Sequence, residues 1–263
     1  MGEETEILLV TRLRRLLILL AAFGLATLAA CERQAEGEGA GVSQVDASRY
    51  DAFWLWAGVK PQPVLDKAKT VYILDSEIRA SDTDTGALTP LRPAIPRITH
   101  ADIWFVVRVE TLNWSDDTYA VVLQRLGRWA ASNRLAGLQI DFDARTQGLN
   151  EYAGFLRDLR QRLPKRYKLS ITGLLDWSAN GDPEGLAALA GSVDEIVLQT
   201  YQGRKTIPGY QRYLAKLDRL DTPFRIGLVQ GGEWHEPQSL RAHPAFRGYV
   251  IFLLNQDKPV HRR

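Results

Sequence analysis

Two aspartates at the end of an apolar segment have the residue types and spacing that most directly indicate chemistry. The stretch "GLQIDFDA" runs from Gly137 to Ala144 and places Asp141 and Asp143 two positions apart. Side chains alternate across a β-strand, so both carboxylates and Gln139 face the same side. Burying a carboxylate is costly, and a like-charged neighbour adds to the cost. The pair therefore predicts a functional site.

Paired carboxylates suit the hydrolysis of a glycosidic bond. That reaction needs a protonated acid at the leaving oxygen and a second group that stabilises or attacks the positive anomeric carbon. A like-charged neighbour raises the pKa of one carboxyl and keeps a proton available near neutral pH. Two acids this close on one strand lie too near each other to flank a bond. Substrate-assisted hydrolysis avoids the difficulty, because the acetamide of the sugar itself attacks.

The elements that must position these acids form a regular series. The sequence contains eight apolar runs of strand length, and most of them alternate with segments of helical periodicity. The runs are "AFWLWAG", "KTVYILDSEIR", "ADIWFVVRVE", "GLQIDFDA", "YKLSITGLLDW", "EIVLQTY", "FRIGLVQ" and "GYVIFLLN". The predicted helices are residues 117–135, 149–163, 183–190, 209–217 and 238–246, and residues 80–100 are predicted as a loop.

Strands that are buried on both faces and alternate with helices predict a parallel sheet. Eight of them in a chain of this length predict a closed (β/α)8 TIM barrel over residues 49–263. The alternative is an open doubly wound sheet, which usually has a glycine-rich turn after its first strand. The segment "WLWAGVKPQP" has no such turn.

In a barrel, the functional face is formed by the carboxyl ends of the strands. Acids, amides and aromatic residues are concentrated at those ends, a composition that suits a polyhydroxylated ligand such as a sugar. The predicted substrate-binding residues are Trp56, Glu77, Glu110, Gln139, Asp176, Trp177, Gln199 and Trp234. Glu77 and Glu110 are also candidates for a second carboxylate across the mouth. Trp177 is either a platform for a sugar or a lid over the core.

Two motifs resemble the family 18 glycoside hydrolases, whose barrels are chitinase-like. The fourth strand of that family ends in D-G-x-D-x-D-x-E, and "AGLQIDFD" aligns its glycine with Gly137 and its acid glutamate with Asp143. The resemblance implies that Asp143 is the proton donor and that Asp141 orients it and raises its pKa. The family tyrosine at the end of strand six falls on Tyr201 in "LQTYQG", where its hydroxyl would donate to a substrate oxygen.

Departures from the family 18 pattern leave other roles open. The first two aspartates of the motif are replaced by Ala136 and Gln139, and an aspartate stands in place of the acid glutamate. Asp143 could instead anchor a loop or form an ion pair with Arg79 or Arg145. Tyr201 could be a buried tyrosine with no part in catalysis.

Most of residues 53–255 also resemble domain of unknown function 3142, a family of bacterial lipoproteins. The resemblance rests on "FWLWAG", "LQIDFDA", "LSITGLLDW", "LQTYQG" and the pattern Y-x-x-F-L-x-x-L-R-x-x-L-P. Membership implies a barrel domain at the cell envelope and supplies no activity.

The N-terminal segment has the features of a lipoprotein signal peptide. Residues 1–30 contain the basic "TRLRR" and an apolar run too short for a typical membrane span, and "LAAC" resembles a lipobox. We expect lipidation of Cys31, a flexible tether over residues 31–48 and location in the cell envelope. Glu32 favours the outer membrane. The alternative is an ordinary N-terminal membrane anchor with an incidental cysteine.

The composition excludes several classes of protein. The chain has 263 residues, of which 45% are apolar and 24% charged, and its formal net charge is +2. The sequence contains no basic stretch interleaved with aromatic residues, so nucleic-acid binding is not predicted. Histidines are scattered and no glycine-rich phosphate loop follows a strand, so we expect neither a metal nor a cofactor.

Three functions remain open at this level. The first is an envelope-tethered glycoside hydrolase that acts on a polysaccharide, N-acetylated or otherwise. The second is a catalytically degenerate barrel that binds a glycan or a protein partner, and the substitutions at Ala136 and Gln139 favour it. The third is an envelope assembly factor that uses the barrel as a scaffold, because fold alone does not identify function.

Overall fold

The structure is a computed structural model that describes residues 43–80, 87–144, 148–177, 183–217 and 220–255. The predictions for the signal peptide, for lipidation of Cys31 and for most of the tether lie outside these ranges. So does Arg145.

The central element is a closed barrel of eight parallel strands. Strand β8 pairs with β1 through Phe252 and Trp54, and β1 pairs with β2, so the sheet has no free edge around the ring. This closure confirms the predicted (β/α)8 barrel and excludes the open sheet. The strands are β1 (Ala52–Leu55), β2 (Thr70–Ile78), β3 (Asp102–Val109), β4 (Leu135–Asp141), β5 (Lys168–Leu174), β6 (Glu195–Gln199), β7 (Phe224–Val229) and β8 (Phe246–Phe252).

In the part of the chain that the structure describes, α-helices follow strands β3 to β7. They are α1 (Asp116–Ser132), α2 (Leu149–Arg162), α3 (Pro183–Ala190), α4 (Gln211–Leu214) and α5 (Gln238–Ala242). A 3-10 helix, Pro63–Lys67, lies between β1 and β2. The predicted loop between β2 and β3 includes a short strand, Leu88–Pro90, antiparallel to β2. None of the helices in the ranges given above is long and apolar enough to cross a bilayer.

The main core lies between the barrel and its helices. Outward-facing Phe105 of β3 packs near Trp129 of α1, with ring centroids 6.1 Å apart. Helix α2 buries Tyr152 and Leu156, which the helical spacing of apolar residues predicted. Fully burying a side chain the size of leucine or phenylalanine contributes about 1.5–3 kcal/mol, so these contacts hold the helices against the barrel.

The barrel interior is filled by large aromatic side chains that require small neighbours. Trp54 is fully buried, and a Cβ atom at Gly227 would lie 2.6 Å from its ring. Tyr72 and Trp104 stack with centroids 5.5 Å apart. A Cβ at Gly137 would lie 2.0 Å from the carbonyl oxygen of Lys168 and would also collide with Trp104. The glycine in "GLQIDFDA" is therefore required by packing.

A buried polar network links the strands near their amino-terminal ends. The Trp54 Nε1 group donates to Oε1 of Gln139 (2.7 Å), and the amide nitrogen of Gln139 donates to the Ser170 hydroxyl (3.0 Å). That hydroxyl donates to Glu195 (3.3 Å), which Arg225 also binds. The network leaves Gln139 fully buried and occupied by protein partners.

The folded unit begins earlier than the sequence predicted. Ser43–Gln44 forms a strand antiparallel to Glu233–Trp234, and Asp46 caps the 3-10 helix Ala47–Arg49 by accepting from the backbone nitrogen of Ser48. Residues 43–48 were predicted as the end of a flexible tether. Residues 43–45 are instead held by backbone pairing to the loop after β7, and residues 46–48 belong to the capped 3-10 helix.

Candidate active site at the open end of the barrel

The aspartate pair lies at the carboxyl end of β4, in the mouth of the barrel. Asp141 is the last residue of the strand, is 8% exposed, and accepts a hydrogen bond from the Thr172 hydroxyl of β5 (2.9 Å). Asp143 follows just beyond the strand and is exposed. The strand therefore delivers one buried and one accessible carboxylate to the mouth.

The surroundings of Asp141 raise its pKa. Burial raises the pKa of Asp141 from 3.8 to about 6. The hydrogen bond from Thr172 lowers this pKa, the charge of Asp143 raises it, and Arg108 lowers it. The like-charge interaction that the sequence predicted is present, but burial is the larger cause of the raised pKa of Asp141.

Asp143 opens onto a cavity of about 550 Å³, within the range of about 300–1,000 Å³ that is typical of ligand pockets. The cavity combines carboxylates, amides and a tyrosine hydroxyl with apolar side chains. Its lining residues are Asp143, Leu174, Leu175, Asp176, Gln199, Tyr201, Gln202, Gly203, Ile207 and Tyr213. The fold thus brings together Asp143, Asp176, Gln199 and Tyr201, which the sequence placed on three different strands.

Tyr201 is held rigidly between the barrel interior and this cavity. Its ring stacks on Phe252 with centroids 5.2 Å apart and meets Trp54 edge to face at 6.5 Å. Burial, with the charges of Asp141 and Asp143, raises the pKa of Tyr201 well above its usual value. The hydroxyl therefore stays protonated and can act as a hydrogen-bond donor beside the carboxylates.

Among the described lining residues, no cation faces the two carboxylates of the cavity. Within the described part of the chain, Asp143 has no hydrogen-bond or ion-pair partner, and Arg79, one of the two arginines considered for it, binds Glu77 (2.6 Å). The Oδ1 atom of Asp176 is buried without a hydrogen-bond partner, and burial raises the pKa of this carboxyl. Asp143 is exposed and available to a ligand, and Asp176 lines the same cavity with its Oδ1 atom buried.

The opposite side of the mouth does not line this cavity. Glu77 is paired with Arg79, and Glu110 is exposed and accepts from the backbone nitrogen of Ala80 (3.3 Å). Trp56 is partly buried and packs edge to face on Phe252 with centroids 5.3 Å apart. The second carboxylate in the cavity with Asp143 is accordingly Asp176, and neither predicted glutamate fills that position.

Three residues predicted to bind substrate are buried away from the cavity. Gln139 is 0% exposed in the polar network described above, because its inward direction places it below the mouth. Trp177 is 0% exposed and donates to the carbonyl of Ala144 (3.0 Å), so it is the lid over the core. Trp234 is buried and stacks on Tyr210 with centroids 4.8 Å apart. These positions correct the prediction.

Several lining or supporting residues were missed by the sequence interpretation. Thr172 lies two positions after Ser170 on β5, so strand alternation alone could have placed it inward beside Asp141. Gln202, Ile207 and Tyr213 come from the segment after β6, and no periodicity in that segment predicts their direction.

Two acids of β2, Asp75 and Glu77, are bound by arginine side chains. Asp75 is the extra residue at an irregularity of β2, and it binds Arg125 of α1 and the hydroxyl of Ser76. Within the described ranges, no group of three or more His, Cys, Asp or Glu side chains is arranged to hold a metal ion.

Comparison with protein families gives a match to the family described as "Domain of unknown function (DUF3142)" over residues 103–216. These residues run from β3 into the segment that follows α4, and they include Asp141, Asp143, Asp176 and Tyr201. The resemblance predicted from the sequence motifs is confirmed over this stretch. No curated protein matches the sequence significantly.

Solved structures with a similar fold include chitinase-type and inhibitor proteins. The Bacillus cereus spore cortex-lytic enzyme SleL is 16% identical with a TM-score of 0.44, and the match covers 68% of this chain and 50% of SleL. The chitinase domain of Clostridium difficile CotE is 15% identical with a TM-score of 0.48, covering 73% of this chain and 67% of that one.

A third similar structure is the xylanase and α-amylase inhibitor protein XAIP-II from Scadoxus multiflorus. It is 10% identical with a TM-score of 0.49, and the match covers 77% of this chain and 92% of the inhibitor. The present chain spans half the length of SleL. At this level of similarity, the architecture is assigned from the strand pairing of the chain itself.

Proposed function

We propose that this protein binds a polysaccharide at the open end of the barrel and hydrolyses a glycosidic bond there. The observation that carries the proposal is the buried Asp141, with a pKa of about 6, beside the accessible Asp143 on a cavity of about 550 Å³. Carboxylates and the amides of Gln199 and Gln202 can bind sugar hydroxyls, while the apolar walls can pack against ring faces.

The proposed reaction assigns the proton to the aspartate pair. Asp143, which reaches the cavity, protonates the leaving oxygen as the glycosidic C–O bond breaks, and Asp141 stores a proton behind it. Water then adds its hydroxyl to the anomeric carbon and returns a proton to the pair. The negative charge of the cavity stabilises the positive charge that develops at the anomeric carbon, and the neutral hydroxyl of Tyr201 donates to a substrate oxygen.

We place the protein at the cell envelope, anchored through lipid on Cys31. The support is the basic segment, the apolar run and the lipobox-like "LAAC" of the sequence. The expected outcome is that Cys31→Ser moves the protein from the membrane fraction to the soluble periplasmic fraction and abolishes labelling with a palmitate analogue. Membrane association that survives this change, without label in either form, would favour an ordinary N-terminal anchor.

Asp143→Asn tests the hydrolytic function. Loss of a general acid is expected to lower kcat about 10²- to 10⁴-fold while the fold and glycan affinity are retained. The measurement is turnover on a broad panel of cell-wall and chitin-type glycans, with circular dichroism and thermal unfolding as checks of the fold. The matched control is Glu233→Gln, which removes an exposed acid outside the cavity and should leave turnover unchanged.

A second candidate is glycan binding without turnover. The observation that favours it is Gln139, which occupies a motif position of the hydrolases but is bound to Trp54 and Ser170 inside the barrel. This candidate predicts measurable affinity for a glycan, no turnover by the purified protein, and little change of affinity in Asp143→Asn. Failure of every glycan on the panel to bind would contradict both candidates.

A further inference from the structure

The cavity beside Asp143 has an unbalanced charge. Two of its described lining residues, Asp143 and Asp176, are carboxylic acids, and none is a lysine, arginine or histidine. Asp141 lies directly behind Asp143 and interacts with its charge. Of the neighbouring cations, Arg79 binds Glu77, Arg108 acts on Asp141, and Arg204 follows the lining residue Gly203 and is exposed. A ligand in this cavity therefore meets two carboxylic acids and no cation among the described lining residues.

Asp176 supplies a specific unfilled position within that field. Its Oδ1 atom is buried without a donor, and the adjoining lining residues Leu174, Leu175 and Ile207 are apolar. A buried acceptor that lacks a donor costs about 1–3 kcal/mol. The Oδ1 atom has no accessible surface, so the carboxyl group must turn toward a ligand donor in the cavity to regain this free energy. Hydrogen bonds in which one or both partners are charged are the strongest of this kind.

We propose that the glycan bound in this cavity carries a free amino group, held as an ammonium ion by Asp176 with Asp143 nearby. This inference rests on the proposed function, because it names the substrate class of the same cavity. An ammonium group supplies a positive charge and several N–H donors. An acetamido group offers one neutral N–H and leaves the two carboxylates uncompensated, and a uronic acid adds a third negative charge.

The test compares two tetrasaccharides by isothermal titration calorimetry on the purified protein. One consists of glucosamine and the other of N-acetylglucosamine, and both have thioglycosidic linkages so that hydrolysis does not disturb the titration. We expect the glucosamine tetramer to bind at least about tenfold more tightly at pH 6.5 and low salt, which corresponds to about 1.4 kcal/mol. The difference should shrink in high salt, since salt screens the charges.

Variants separate a specific contact from general attraction. Asp176→Asn should lower affinity for the glucosamine tetramer about tenfold and leave the acetylated tetramer unchanged. Glu233→Gln removes an exposed acid that does not line the cavity, and it should change neither affinity. An equal loss in both variants would overturn the proposal, because the attraction would then come from the net charge of the surface.

The comparison in the wild-type protein decides the matter even if a variant fails to fold. Equal or tighter binding of the acetylated tetramer would overturn the amino-group proposal and leave the glycan-binding function in place. If neither tetramer bound while another glycan of the panel did, the amino-group proposal alone would fail. Absence of binding to every glycan would instead remove the proposed function itself.

Discussion

Two acidic side chains inside the barrel are equally buried but differ in their partners. Glu195 and Asp141 are each 8% exposed. Glu195, the first residue of β6, accepts from Tyr72 (2.6 Å), Ser170 (3.3 Å) and Arg225 (2.8 Å). Asp141, at the open end, accepts a hydrogen bond from Thr172 (2.9 Å) and has a like charge beside it. Burial alone therefore does not distinguish the two acids.

The difference lies in how each charge is compensated. A buried carboxylate with a cationic partner and neutral donors can remain charged as part of the structure. A buried carboxylate with one neutral donor instead shifts its pKa, and it becomes a proton store at the cost of stability. The barrel thus places a compensated acid where β5, β6 and β7 begin and under-compensated acids where β4 and β5 end.

The largest expected effect comes from removing the compensation of Glu195. Arg225→Met leaves the glutamate buried without its cation, and we expect the free energy of unfolding to fall by about 3–5 kcal/mol at pH 7.5. Urea denaturation followed by circular dichroism measures this change. The matched control is Arg134→Met, which breaks the exposed ion pair with Asp102 and should cost less than about 1 kcal/mol.

A second variant keeps this test informative. Adding Glu195→Gln to Arg225→Met removes the uncompensated charge, so part of the lost stability should return. If Arg225→Met were no more destabilising than Arg134→Met, charge compensation at Glu195 would not stabilise the fold and the comparison would fail.

Asp141→Asn should raise the free energy of unfolding, which is the opposite of the effect expected for Arg225→Met. The folded pKa of Asp141, about 6, is above the unfolded value of 3.8, so its protonated form is favoured by folding. The resulting stability is fully present below pH 3.8 and is lost as the pH rises through about 6. At pH 7.5 the variant should therefore be more stable than the wild type by about 3 kcal/mol, because asparagine can still accept from Thr172.

The pH dependence is the decisive part of the Asp141→Asn experiment. Unfolding free energies of wild type and variant should converge near pH 3.5 and separate between pH 4 and 6, while turnover by the variant falls. A variant that is less stable than the wild type at pH 7.5 would show that Asp141 is a structural acid like Glu195.

Strand alternation and helical spacing predicted most of the architecture, because burial on both faces of a parallel strand leaves a direct trace in the sequence. The eight strands and the buried face of α2 follow from that rule. The same rule placed Gln139, Asp141 and Asp143 in one inward row. The rule could not give the position of each side chain along the barrel axis. This position leaves the amide of Gln139 buried and the carboxylate of Asp143 exposed.

The parts of the site that escaped prediction depend on contacts distant in sequence. Trp177 and Trp234 are aromatic residues near strand ends, yet their rings turn into the core against Tyr152 and Tyr210. Composition at a strand end does not specify that direction. The lack of a described cation beside Asp176 is also a tertiary feature, since it depends on which acids the arginines of distant segments bind.

The smallest predicted effect comes from removing a single hydroxyl group, and it distinguishes the roles of two buried tyrosines. Tyr201→Phe keeps the ring on Phe252 and removes a donor at the cavity, so turnover should fall about tenfold, or about 1.4 kcal/mol, with little change in stability. Tyr210→Phe is the control, because its hydroxyl donates to the carbonyl of His235 (3.0 Å) outside the cavity. That variant should lose about 1 kcal/mol of stability and keep its turnover. Steady-state kinetics and urea denaturation of both variants measure the two effects. If Tyr201→Phe lost stability but kept its turnover, its hydroxyl would belong to the structural group of Glu195, and the functional cavity would begin only at Asp143.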